Sequence, residues 1–455
     1  MEQLSLKKIA EVIGADCQTD LPIHCICTDT RTIEKGCLFI ALEGERFDAH
    51  DFVPQAVQQG AAAVICHKEV ACEAPVLYVE DTRRAYLDIA GYYRSLFSIP
   101  LIGITGSVGK TTTKEFVALA LSAKYKTLKT EGNFNNDIGM PKTLLGLDSS
   151  YEAAVIEMGM NHFGEIHSLT LRSKPTMGVI TNIGVSHIEN LGSRDGILQA
   201  KLEILDGMAA DAPLLLNADN DKLAAASIEG RKVFYFGIES ETADYRALNI
   251  TADNESTDFV IAYPGGRQPV HIPTVGSHNV LNAVCAFAVG VLNGIEAQQV
   301  AQKLSEYVPA GMRQRIVKCD AFTVIEDCYN ASPDSMRAAI GTLAGMDAGK
   351  KIAVLADMLE LGDYAQQLHE EVGAYCAQQQ IDVLLAYGEQ AAAYCSKATE
   401  CGLKTARHFT DKEALLEAVI EQMEEGCALL FKGSHGMHLE QTIQALYERK
   451  GIKNE

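Results

Sequence analysis

The chain has 455 residues, 47% of them hydrophobic, and a formal charge of −21. Its length exceeds what one ordinary core accommodates, so two or three domains are expected. The acidic excess argues against nucleic acid or an anionic membrane as a bulk partner.

Residues 1–97 form the first expected unit. The start, Met1 to Lys8, lacks the apolar core of a signal peptide. An amphipathic helix is predicted over Leu6 to Ile13, followed by strands over 37–42, 61–66 and 76–80. Cys25 and Cys27 suit alternate faces of a strand better than a zinc site. The thirteen cysteines contain no Cys-x-x-Cys spacing, which points to free thiols in a reducing cytoplasm. No run reaches the roughly 18 apolar residues of a membrane span.

The second unit, 98–308, opens with the most informative stretch of the chain. After the apolar run Pro100-Leu101-Ile102 comes Gly103-Ile-Thr-Gly-Ser-Val-Gly-Lys-Thr-Thr-Thr-Lys-Glu115. This reads as a strand, a glycine loop and a helix start, the arrangement that holds a nucleotide's phosphates. Gly106 and Gly109 let backbone N–H groups turn towards an anion, and the helix adds its positive end. Lys110 has the reach for the β/γ-phosphates, and the Thr111 hydroxyl suits Mg²⁺. The loop is a variant, because Gly106 precedes Gly109-Lys110 by only two residues.

Further along, Tyr151 to Glu157 and Thr176 to Ile183 read as buried parallel strands. Residues 195–208 and 278–293 read as helices, and 230–275 as a small antiparallel addition. Glu157, at the end of an apolar strand, stands where a Mg²⁺ ligand belongs. His187 follows a second such strand, in Thr181-Asn-Ile-Gly-Val-Ser-His187. Lys201, taken alone, is most simply a helix-surface lysine. The third unit, 309–455, alternates strands (322–327, 352–356, 383–387, 428–432) with helices starting near Pro333, Asp363, Gln390 and Lys412. This is the pattern of a doubly wound α/β domain. Two α/β domains joined end to end leave a cleft that excludes water when closed. A GTP-binding switch is a poor fit, since the chain lacks an Asn-Lys-x-Asp base-reading motif.

Thr105–Thr111, Glu157-Met-Gly, Asn182 to His187, Ala200-Lys201, Gly276-Ser-His-Asn-Val-Leu-Asn282 and Arg313 resemble, in that order, the motifs of the Mur ligases, across essentially the whole chain. These are ATP-dependent amide ligases of peptidoglycan precursor synthesis. The resemblance implies an α/β fold of three domains: a mixed UDP-substrate domain, a central P-loop domain with a mostly parallel sheet, and a Rossmann-like doubly wound domain. It implies nucleotide contacts from Thr105, Gly106, Ser107, Val108, Gly109, Lys110, Thr111 and Thr112. By the same resemblance Asn282 contacts the adenine side, Arg313 a phosphate and Asp327 the ribose. Two Mg²⁺ ions are implied, one on Thr111 and Glu157, the other on His187 and a carbamylated Lys201. Lys110, His187 and Lys201 carry the catalytic roles.

The segment Thr28-Asp29-Thr-Arg31 through Asp48-Ala-His50 resembles the UDP-sugar-binding domain of the third- and fourth-step ligases. Asn135 and Asn136 lie in a segment resembling the loop that faces the muramoyl-peptide. Asp327-Cys-Tyr-Asn330-Ala-Ser-Pro-Asp-Ser-Met336 and Asp357-Met-Leu-Glu-Leu-Gly362 resemble the dipeptide-adding members. The implied substrates are therefore ATP, UDP-N-acetylmuramoyl-tripeptide and D-alanyl-D-alanine, with Asn330, Lys432 and Ser434 at the dipeptide. The alternatives are the third-residue-adding ligase and a folylpolyglutamate synthase-like ligase. Two positions depart from the pattern: Ser332 replaces an asparagine and His435 an arginine. A cytoplasmic monomer is expected.

Overall fold

The computed structural model describes residues 1–44, 47–309 and 311–452. Three sheets carry the architecture, beside a short antiparallel pair, Leu4–Ser5 with Pro22–Ile23. The first sheet has four parallel strands in the order Cys25–Cys27, Cys37–Ile40, Ala63–Cys66 and Val76–Tyr78. Helix Leu6–Ile13 forms as expected, capped by the Ser5 hydroxyl and ended by Gly14 in the left-handed region. Cys25 and Cys37 are direct partners in the parallel register and are joined as a disulfide. The expectation that all thirteen cysteines are free thiols is corrected at this pair.

The second sheet has nine strands. Its order is Gly266–Ile272, Thr257–Tyr263, Tyr245–Ala252, Val233–Gly237, Leu214–Asn217, Met177–Ile180, Leu101–Thr105, Ala153–Glu157 and Thr127–Lys129. The pairs from Tyr245–Ala252 onward are parallel, and Leu101–Thr105 and Ala153–Glu157 are buried throughout. That double-faced burial explains their continuous apolar character. The antiparallel strands expected within 230–275 are present. They extend the central sheet itself, closing on a tight Pro264-Gly265 turn.

Helices Lys110–Leu121 and Ser277–Leu292 share a core with one face of this sheet. The other face merges with the core of the first sheet, through helix Thr82–Ser95. There the Tyr93 hydroxyl donates to the Leu147 carbonyl at 2.6 Å.

The third sheet runs Arg315–Lys318, Phe322–Asp327, Cys427–Lys432, Lys350–Ala356, Val383–Tyr387, Thr405–Phe409, and only its first strand is antiparallel. Helices Pro333–Gly345, Ala365–Gln378 and Ala392–Glu400 cover one face, and Lys412–Gln422 and Glu440–Lys450 the other. This is the doubly wound arrangement expected from the sequence. Because Cys427–Lys432 inserts beside Phe322–Asp327, the loops after those strands and after Lys350–Ala356 diverge at one edge, where ligands bind in such sheets. Among the described residues, no helix is long and apolar enough to cross a membrane.

Candidate active site

The phosphate loop joins strand Leu101–Thr105 to helix Lys110–Leu121. Gly109 stands at the helix N-cap with φ +83°, a conformation that disfavours any Cβ. At Gly106 the constraint is space, since an added Cβ would lie 1.9 Å from Thr181 Oγ1. The segment after strand Met177–Ile180 braces this loop. Asn182 Oδ1 accepts from Val108 N at 2.8 Å, and the Asn182 carbonyl accepts from Ser107 N at 3.1 Å. The Thr181 hydroxyl donates to the Val108 carbonyl at 2.7 Å, and Gly184 N to Ser107 Oγ at 3.0 Å. Gly106→Ala should therefore displace Thr181, lowering stability by about 1–3 kcal/mol and suppressing nucleotide-dependent phosphate release. Denaturant unfolding with a phosphate assay checks this, and wild-type values in both would contradict it.

Lys110 Nζ donates to the Gly106 carbonyl at 2.8 Å. Burial holds its ammonium below the ordinary lysine value; Glu157 opposes the shift and Arg313 adds to it. The site therefore gathers Lys110 with a carboxylate from the neighbouring strand and a guanidinium from the start of the third unit. Glu157 is 2% exposed and is the register partner of Ile104. Its Oε1 accepts from Asn135 Nδ2 at 2.8 Å, while Oε2 is buried with no hydrogen-bond partner. An unsatisfied carboxylate oxygen beside a phosphate loop, with the buried Thr111 on the same loop, fits a hard divalent cation. Among the described residues, no three His, Cys, Asp or Glu side chains converge on one point. Such a donor-poor site suits Mg²⁺, which takes few protein ligands alongside phosphates and water.

Lys201 is not a surface lysine. It is 2% exposed on helix Arg194–Leu202, and its side chain has no hydrogen-bond or ion-pair partner among the described residues. Burial, with Lys110 adding, holds it well below the ordinary ammonium range. His187 has a left-handed backbone, φ +62°, and its Nδ1 lies 3.3 Å from Glu360 Oε2. Hydrogen bonding to His187 in turn lowers the Glu360 carboxyl. This contact joins the central loops to the loop after Lys350–Ala356.

Asn282 is buried on helix Ser277–Leu292, where its Oδ1 accepts from the Thr113 hydroxyl at 2.9 Å. It also lies 3.3 Å from where a Gly109 Cβ would stand. The Arg313 guanidinium sits 3.7 Å above the Tyr329 ring, which His435 stacks at 6.0 Å. Asp327 Oδ2 accepts from the buried Lys432 ammonium at 2.7 Å, and that ammonium also donates to the Asn330 carbonyl at 3.0 Å. Ser434 Oγ accepts from Leu359 N at 2.9 Å. Ser332 caps helix Pro333–Gly345, with its N–H donating to Ser335 Oγ at 2.9 Å.

In the first sheet, Thr28 and Asp29 follow strand Cys25–Cys27. Asp29 accepts from the Arg31 guanidinium, at 2.6 Å for the shorter bond, and this pairing lowers its carboxyl to about 2. Asp48 accepts from Lys68 Nζ at 2.6 Å and from His50 N at 3.0 Å. Asn136 turns its Oδ1 to Ile138 N and Gly139 N in the turn that leads into the next helix, while Asn135 reaches Glu157. Asn182, Tyr329, Gln314 and Glu360 belong to these contacts and were not singled out as site residues from the sequence. All but Gln314 lie inside the quoted motifs and could have been found there.

Known proteins resemble the chain along nearly its whole length. Residues 22–94 match the Mur ligase family catalytic-domain model, 104–290 the Mur ligase middle domain and 312–435 the Mur ligase glutamate ligase domain. The chain belongs to the Mur ligase family. Within that family it is 40% identical, over 98% of its length and 99% of the relative's, to the UDP-N-acetylmuramoyl-tripeptide–D-alanyl-D-alanine ligase of Bacillus subtilis. The enzyme of the same name from Escherichia coli is 37% identical, with 98% and 99% of the two chains covered. A crystal structure of MurF from Acinetobacter baumannii superposes with a TM-score of 0.92 at 33% identity, covering 98% and 99% of the chains. That of the Thermotoga maritima MurF ligase in complex with ADP gives 0.85 at 25% identity, covering 93% and 97%.

Proposed function

We propose that this protein joins D-alanyl-D-alanine to UDP-N-acetylmuramoyl-tripeptide at the expense of ATP. The observation that carries the reading is the phosphate loop with Lys110 beside a buried, half-satisfied Glu157. The full-length likeness to ligases of that name supports the choice of substrates. Residues 1–97 would take the UDP-linked peptide, with Thr28, Asp29, Arg31, Asp48, Asn135 and Asn136 as candidate contacts. Residues 98–308 would take ATP, and 309–455 the dipeptide, through Asn330, Lys432 and Ser434.

A carboxylate resists amines because oxide would have to leave. In the first step a tripeptide carboxylate oxygen bonds to the γ-phosphorus of ATP, and the bond from that phosphorus to the β-bridging oxygen breaks, releasing ADP. The dipeptide's neutral amine then attacks the acyl carbon, the nitrogen loses a proton, and phosphate departs from the tetrahedral centre. Backbone N–H groups of 106–109, the helix N-terminus and Lys110 bind the phosphates and meet the charge that develops on them. Arg313, held over Tyr329, adds a guanidinium from the third unit. Asn282 and Asp327 would place the adenine and ribose. Mg²⁺ bound by Thr111 and Glu157, and a second ion bound by His187 and a carbamate on Lys201, would neutralise phosphate charge. Closure of the third sheet's loops over the site, where Glu360 meets His187, keeps water from the acyl phosphate.

Phosphate release measured with UDP-N-acetylmuramoyl-tripeptide, with and without D-alanyl-D-alanine, tests the reading. Release that requires both substrates and yields the pentapeptide is the expected result. Turnover with a single amino acid would move the protein to a sister ligase.

A further inference from the structure

Gln314 follows Arg313 directly and is 7% exposed, with a left-handed backbone at φ +55°. A non-glycine residue holds that conformation only where its surroundings determine it. Here both polar atoms of the side-chain amide are engaged. Its Oε1 accepts from His278 Nε2 at 2.6 Å and from Asn279 Nδ2 at 2.7 Å, both on helix Ser277–Leu292 of the central sheet. Its Nε2 donates to Thr342 Oγ1 at 2.7 Å, on helix Pro333–Gly345 of the third sheet. Because Oε1 can only accept, His278 carries its proton on Nε2. Backbone space is also reserved for this cluster. A Cβ on Gly276, which has φ +97°, would come within 2.6 Å of His278 Cε1 and 2.8 Å of Thr342 Oγ1.

One side chain thus ties the helix that carries Asn282 to the helix capped by Ser332, at the point where the chain passes from one sheet to the other. The preceding residue, Arg313, lies over Tyr329. We propose that Gln314 is a positioning residue of the reaction. By pinning the crossover between the two sheets it aims the Arg313 guanidinium at the phosphate loop. It touches no reacting atom and acts only through Arg313. This inference rests on the phosphoryl-transfer reading above. A merely structural Gln314 would lower thermal stability and leave the chemical step of the folded enzyme intact.

The test is a double-mutant cycle on phosphate release, using Q314A, R313A and the pair, with T342V as a second probe that removes only the third-sheet partner. Misaiming a transition-state group costs roughly 10- to 100-fold in rate. Q314A is therefore expected to lower kcat by about that factor while the KM for ATP changes less than about threefold. Added to R313A, it should cost less than about threefold more, because the group it aims is already gone. T342V should fall between wild type and Q314A in kcat, and it keeps the test available should Q314A fold poorly. Multiplicative losses in the cycle, or a wild-type kcat in folded Q314A or T342V, would overturn the proposal. The function itself is judged separately, on the dipeptide dependence of the wild-type enzyme. A dipeptide-independent phosphate release would sink that reading and still leave the coupling of Gln314 to Arg313 measurable.

Discussion

Lys110→Ala is expected to lower kcat for dipeptide-dependent phosphate release by about 10²–10³-fold, the usual cost of removing one preorganised charge from a transition state. Lys110 is the only cation contributed by the phosphate loop itself, and its side chain is already folded back onto the Gly106 carbonyl. The partial desolvation that lowers its ammonium also strengthens its interaction with phosphate. The fold should persist, because helix Lys110–Leu121 is anchored by Phe116, Val117, Ala120 and Leu121 in the core rather than by this residue. Circular dichroism alongside the kinetic assay distinguishes the two effects. A kcat within about threefold of wild type would remove Lys110 from the catalytic step.

The second large effect belongs to Lys201. Burial and the neighbouring Lys110 hold it well below the ordinary value of 10.5, which favours the neutral amine in the folded protein relative to the unfolded chain. A neutral amine can attack CO₂, losing a proton as the carbamate forms, and the product is an anion suited to a hard cation. Lys201→Ala should reduce kcat by about 10²-fold or more. The wild-type enzyme, stripped of CO₂, should lose activity and regain it with bicarbonate. A ¹³C signal from labelled bicarbonate should be present in wild type and absent in the variant. Activity indifferent to both treatments would exclude the modification.

A consequence for stability follows from the same burial. The unfolded state binds the extra proton, so in CO₂-free buffer this residue costs stability at neutral pH, and the cost fades as pH rises towards 10.5. Lys201→Met should accordingly raise Tm near neutral pH, with a gain that shrinks towards that value.

How far the site could be read beforehand depended on whether its chemistry is local. The phosphate loop was legible because Thr105 to Thr111 is contiguous and its glycines have no packing explanation. Glu157 was legible through strand logic, since an apolar run ending in a carboxylate places it at the sheet's ligand-binding edge, and the register puts it beside Ile104. Lys201 depended on the family resemblance; only the structure places Ile197, Ala200 and Lys201 together on the buried side of the helix. Gln314 was not legible at all, and Glu360, though inside the quoted Asp357–Gly362 motif, gave no sign of its contact with His187. Their contacts join parts of the chain that no local pattern relates.

The fold followed the same rule. Buried parallel strands announced themselves by continuous apolar runs. Strand Thr405–Phe409 did not, because it is an edge strand carrying Arg407 and His408. Helix Thr82–Ser95 was obscured by Gly91, whose missing Cβ gives Arg172 room: the Arg172 side chain passes 2.9 Å from where that atom would be. The Cys25–Cys37 link was invisible to cysteine counting because it is made by strand register rather than by sequence spacing.

The contact between His187 and Glu360 bears on how firmly the two loops are held. The Glu360 side chain is 64% exposed and its partner is a histidine rather than a permanent cation. An exposed pair of this kind contributes about 1 kcal/mol or less, close to thermal energy. At this point the loops of the central and third sheets are thus joined by a contact that ordinary fluctuations break, while the Gln314 bonds hold them together elsewhere. That contact therefore offers little resistance of its own to separation of the two loops.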